Sequence, residues 1–131
     1  MKSLMVLTVA GIVGLASLPV AAQTPSPQPY SGQGDYQVFC TSCHGASGKG
    51  DGVIAGSLRK RPADLTVLSK KHDGVFPSDV VFTTIQVGHE KNDMPAWFDV
   101  LQKSQESVGP DAAKARIRSL VEYLETLQPK P

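Results

Sequence analysis

The chain has 131 residues, with 13 basic and 12 acidic side chains and a formal charge of +1. A balance this even excludes the strongly basic surface that a nucleic-acid partner selects. The length allows one small domain once an export signal is set aside, and only 6% of the residues are aromatic, so the core is short of large apolar bodies of its own.

Met1-Lys2-Ser3 places one positive charge before an apolar run over 4–20, and the run closes on Val20-Ala21-Ala22. Charge, apolar stretch and small residues in this order predict a secretory signal peptide over 1–22, cleaved near Ala22. The alternative is a retained membrane anchor, for which Gly11, Gly14, Ser17 and Pro19 make a poor spanning helix. The cysteine that a lipid anchor requires does not follow the apolar run. Residues 23–33 hold three prolines and no charge, which predicts a flexible, Pro-rich leader ahead of a domain over 34–128.

A short helix is expected over 35–43. Asp35 can cap it, and Tyr36, Phe39, Cys40 and Cys43 recur at i, i+3, i+4 and i+7 on one face. Tyr36 reads as ordinary core packing, and Gly45 can end the helix with a positive φ. The helix carries Cys40-Thr-Ser-Cys43-His44, and Cys40 and Cys43 are the only two cysteines in the chain. C-x-x-C-H is the attachment pattern of a c-type haem: two thiols form thioethers to the two vinyl groups, and the adjacent imidazole becomes an axial ligand of the iron. Three other readings compete. A thioredoxin-like redox pair needs a βαβ surround that this sequence lacks. A zinc site needs a second close pair of ligands, and His72 and His89 lie 17 apart. A plain disulfide leaves His44 and Gly45 unexplained.

Five glycines interrupt residues 45–62, which predicts a loop with a turn at Asp51-Gly52. It is not a phosphate-binding loop, because G-x-x-x-x-G-K-[ST] is absent and no strand precedes it. Arg59-Lys60-Arg61 and Lys70-Lys71 flank a stretch expected to form one or two helical turns over 63–69. These basic runs read as solvated surface or as a positive rim for docking an acidic redox partner. Ser78 is expected to cap a helix over 79–87, with Val81, Phe82 and Ile85 on one face and Gly88 as its stop. A polar loop follows, interrupted by Met94 and Trp97, then a weak helix around Phe98 and Leu101. The strongest periodic segment is 110–127, where Pro110 suits the first helical position and Ile117, Leu120, Val121, Leu124 and Leu127 form an apolar stripe. Strand patterns and internal repeats are absent. The fold class predicted is all-α.

An iron held by His44 has an opposite position to fill. Beyond 1–22 the chain has a single methionine, Met94, 50 residues after His44. A thioether there raises the reduction potential, and Pro95 favours an extended Met94. A gap-filling core methionine is the plain alternative. His89 and, more distantly, His72 are rival ligands.

Taken together, these residues resemble the small monohaem class I cytochromes c exported to the bacterial periplasm. The resemblance runs from about Gly34 to Leu127. Its parts are Tyr36, Cys40–Gly45, Gly48-Lys-Gly-Asp-Gly52, Arg61-Pro-Ala-Asp-Leu-Thr66, Met94-Pro-Ala-Trp97 and Leu120-Val-Glu-Tyr-Leu124. The resemblance implies one covalently attached haem c, with Cys40 and Cys43 as thioether residues, His44 as proximal and Met94 as distal iron ligand. It implies N- and C-terminal helices crossing near Tyr36 and Leu120–Leu124. It also implies Pro62 on the His44 side, with a nearby carbonyl accepting from His44 Nδ1–H.

By the same resemblance the protein is an electron carrier, not an enzyme. It is expected as a monomer in the periplasm, meeting redox partner proteins such as respiratory or dehydrogenase complexes, and touching a membrane only if the leader is retained. Two stretches depart from the simplest members: 74–79, and a longer, more polar 100–109. The alternatives are a subunit of a membrane dehydrogenase or oxidase, and a ligand-binding or enzymatic haem protein with an open sixth site beside His89 or Glu90.

Overall fold

The computed structural model describes residues 31–104 and 110–130. Five α-helices carry the fold: α1 (Gly32–Phe39), α2 (Thr41–His44), α3 (Ser78–Val87), α4 (Trp97–Ser104) and α5 (Pro110–Thr126). Short 3-10 turns at Ala55–Ser57, Leu65–Val67, Ser69–His72 and Glu90–Asn92 shape the connections. Among the described residues the only β pairing is an isolated antiparallel bridge between His89 and Met94, and the class is all-α as expected. No helix among them is long and apolar enough to cross a membrane. The segments read as signal peptide (1–22) and most of the leader (23–30) lie outside the described residues.

α5 is the spine, because its apolar stripe is wide enough to meet three partners at once. Ala113, Ile117, Leu120, Val121 and Leu124 are buried, and Tyr36 of α1, Val81 and Ile85 of α3, and Leu101 of α4 close over them. Each large apolar side chain buried in this way contributes about 1.5–3 kcal/mol. α1 crosses α5 at backbone contact: a Cβ on Gly32 would lie 1.8 Å from the Ser119 carbonyl oxygen. Only glycine permits this approach. One turn further along, the Tyr36 and Tyr123 rings pack with centroids 5.3 Å apart.

α1 departs from expectation at both ends. Ser31 is the N-cap, with its Oγ accepting from Gly34 N–H at 3.0 Å, so 31–33 begin the helix and do not belong to the leader. Asp35 is not the cap; it is buried and paired with Arg116 of α5. The expected helix over 35–43 is interrupted at Cys40, which keeps a right-handed backbone but with φ stretched to −113° from the ideal helical value. Thr41 Oγ1 also donates to Gln37 O at 2.7 Å, a back-bond of the kind that bends helices. Ser78 opens α3 as its first residue, behind Pro77, and does not act as a side-chain cap. Gly88, at φ 68°, ends α3 as expected.

Candidate cofactor site

Cys40 sits at the junction of α1 and α2, and Cys43 and His44 lie on α2. Both thiols are free and half-buried. Burial, followed by the charges of Asp35 and Cys43, pushes the Cys40 thiol up to about 12. That is opposite in direction to the lowered pKa of a disulfide-exchange nucleophile. Among the described residues no group of three or more His, Cys, Asp or Glu side chains converges in a way that could hold a metal ion.

A four-residue helix cannot satisfy its own carbonyls. The glycine-rich loop does so instead. Ile54 N–H donates to Ser42 O at 3.1 Å, Gly52 N–H to Cys43 O at 3.1 Å and Gly50 N–H to His44 O at 2.8 Å. The Tyr36 hydroxyl donates to Gly45 O at 2.7 Å, a role beyond the core packing its sequence position suggests. Gly50 is the pivot of the loop. Its φ is 73°, and a Cβ there would lie 2.3 Å from Pro62 O, so the loop can press against the 61–63 segment only with glycine at this position.

This contact brings the Ala63 carbonyl to His44, whose Nδ1 lies 3.1 Å from it. A carbonyl only accepts, so Nδ1 carries the proton and Nε2 keeps its lone pair. Burial lowers the His44 pKa, partly opposed by this hydrogen bond, and a neutral imidazole is the form that ligates a metal. The acceptor is Ala63, next to the expected Pro62. Pro62 is half-buried and contributes its own carbonyl to the Gly50 contact. Asp64 fixes the turn beyond, with Oδ1 accepting from Thr66 N–H at 2.8 Å and from Thr66 Oγ1 at 2.6 Å, and these bonds hold its carboxyl below the usual range. Gln128 ties the same stretch to the end of α5 through Leu65 O at 2.7 Å and Ser69 N–H at 3.0 Å.

Met94 is half-buried and packs against the hydrophobic core, as Cys40, Leu65, Leu68, Phe82, Trp97 and Phe98 each do. Its backbone is pinned by the bridge: His89 N–H donates to Met94 O at 2.8 Å and Met94 N–H to His89 O at 3.2 Å. His89 itself is exposed and lines an open groove of about 390 Å³ on α3 with Asp79, Val80, Thr83, Thr84 and Val87. His72 and Glu90 are also exposed. Arg59, read from the sequence as part of a positive rim, is committed to the Met94 hairpin through Asp93 and the Glu90 carbonyl. Its guanidinium lowers the Asp93 carboxyl pKa. Lys60, Lys70 and Lys71 remain exposed.

Cys40, Cys43, His44 and the 61–63 segment thus form one hydrogen-bonded unit, and Met94 packs against the core that Cys40 also touches. The chemistry of these residues fits a covalently held haem: two free thiols beside an imidazole whose Nδ1 is engaged, with a half-buried thioether on a separate hairpin as the candidate second ligand. No family model, no curated protein and no solved structure matches this chain.

Proposed function

We propose that this chain is a monohaem electron carrier of the small class I cytochrome c type, with haem c attached through Cys40 and Cys43 and ligated by His44 and Met94. The observation that carries the reading is the His44 Nδ1 to Ala63 O contact of 3.1 Å inside a complete C-x-x-C-H. A carbonyl that accepts from Nδ1–H fixes the tautomer and orientation of an imidazole whose Nε2 ligates a metal. When bound, the haem supplies a one-electron couple. The chain's own residues orient and tune it.

Ala63 fixes the rotation of the His44 ring and raises its electron donation. Met94, a soft sulfur, favours the ferrous state and a raised potential. Met94 is half-buried against the apolar core, and a site partly withdrawn from water feels the charges around it more strongly. Acid, base and nucleophile have no part in this function. Under this reading the chain works as a monomer in the periplasm, exported by its N-terminal segment and meeting its redox partners through weak, short-lived contacts. The oxidised spectrum tests it. The weak red charge-transfer band of Met sulfur on ferric haem is expected in wild type and lost in Met94→Ala. Its absence from wild type, with ready carbon monoxide binding by the reduced protein, would favour a ligand-binding haem protein instead.

A further inference from the structure

Residues 59–63 touch both sides of the proposed site. At one end Ala63 O accepts from His44 Nδ1–H at 3.1 Å. At the other, Arg59 reaches the turn of the Met94 hairpin by three bonds: its backbone N–H to Asp93 Oδ2 at 2.8 Å, Nε to Asp93 Oδ1 at 2.6 Å, and a terminal guanidinium nitrogen to Glu90 O at 2.7 Å. Asp93 directly precedes Met94 and has a left-handed backbone, φ 62°, so its carboxylate is turned back toward the 58–60 loop by the hairpin's own geometry. The two-bond ladder between His89 and Met94 is the minimum that can close such a hairpin, and a pair this short is marginal by itself.

We propose that Arg59 is a positioning residue that holds the Met94 hairpin shut, and so sets how readily Met94 yields its place to an external ligand. The proposal rests on the reading of Met94 as an iron ligand. Because the Arg59 side chain is 65% exposed, the tie lies at the protein surface and is weakened by salt. Its guanidinium nonetheless meets Asp93 Oδ1 while the Arg59 backbone N–H occupies Oδ2, and the bond to Glu90 O anchors the same side chain a third time, a small network of charge-assisted bonds that outlasts an isolated surface pair. The identity of the ligand and the tightness of its seat are therefore separable: Met94 supplies the sulfur, and Arg59 supplies the closure.

The test uses full-length, haem-loaded Arg59→Gln and Asp93→Asn, the second chosen because asparagine tolerates the left-handed backbone. Both are expected to carry haem and to show the red Met–iron band, while the reduced proteins bind carbon monoxide about three- to tenfold faster than wild type. Hydrogen exchange at the His89 and Met94 amides should accelerate in the same variants, with the α1 and α5 amides unchanged. High salt should speed carbon monoxide binding in wild type and leave Arg59→Gln unaffected. Variants that match wild type in carbon monoxide binding and in His89 and Met94 exchange overturn the role of Arg59, while the wild-type band leaves Met94 ligation standing. A wild type without that band removes both.

Discussion

Asp35 and Arg116 meet inside the protein where α1 crosses α5. Arg116 Nε donates to Asp35 Oδ2 at 2.8 Å, and its terminal nitrogen donates to Asp35 Oδ1. The pair spans 81 positions of sequence, with the Arg116 side chain only 9% and the Asp35 side chain only 4% exposed. The Arg116 guanidinium also lies over the Phe39 ring, 5.5 Å from its centroid. Phe39 immediately precedes Cys40, so this ion pair connects the helix crossing to the thiol-bearing turn.

Removing one partner leaves the other charged and out of water. Arg116→Ala or Asp35→Ala should therefore destabilise the fold by about 3–5 kcal/mol. Replacing both with apolar residues of similar volume should recover most of that loss. Chemical denaturation midpoints of the single and double variants read the difference directly.

Tyr36 gives a pH dependence with a definite sign. Burial first, then the charges of Cys40, Tyr123 and Asp51, raise its hydroxyl from 10.0 to about 12. The folded chain therefore holds this proton more tightly than the unfolded chain. The contribution is complete below about pH 10 and is lost as the pH climbs through about 12. Tyr36→Phe should abolish this component of alkaline unfolding. At neutral pH it should cost about 1–3 kcal/mol, because Gly45 O loses its donor. Thermal melts across the alkaline range measure both effects.

Gly50→Ala tests the support of His44. A methyl group there would collide with Pro62 O, and the residue's φ is positive. The expected loss is about 1–3 kcal/mol, with displacement of the 61–63 segment from His44. The nitrogen chemical shifts of the His44 ring should then show Nδ1 without its carbonyl partner. Gly56→Ala, where a Cβ meets nothing within 4 Å, is the matched control and should leave both stability and shifts unchanged.

Much of this architecture can be read from the sequence. The stripe over α5, the Gly88 stop and the all-α class follow from local periodicity and backbone preference, which a single chain displays openly. C-x-x-C-H names its own candidate residues because their spacing is short. The long-range pairings cannot be read this way. Arg116 stands inside the apolar stripe between Ala113 and Ile117, an anomaly that signals a buried partner but does not say that the partner is Asp35. Arg59 looks like one cation in a basic run until the hairpin delivers Asp93 to it. The Ser31 cap is hidden by its Pro-rich neighbourhood, and the Ala63 acceptor is a backbone atom that no side-chain pattern reveals. Its nearest clue is the Asp64-x-Thr66 turn, which fixes the direction of the chain just beyond it.

Covalent attachment at Cys40 and Cys43 underlies every other feature proposed for the site, and acid–acetone extraction of the denatured wild-type protein probes it without reference to function. The haem spectrum should stay with the polypeptide after extraction, with the mass raised by one haem. In the Cys40→Ala, Cys43→Ala double variant any colour should pass into the solvent. A wild-type polypeptide recovered colourless, with two titratable thiols and the mass of the bare chain, would rule out thioether attachment.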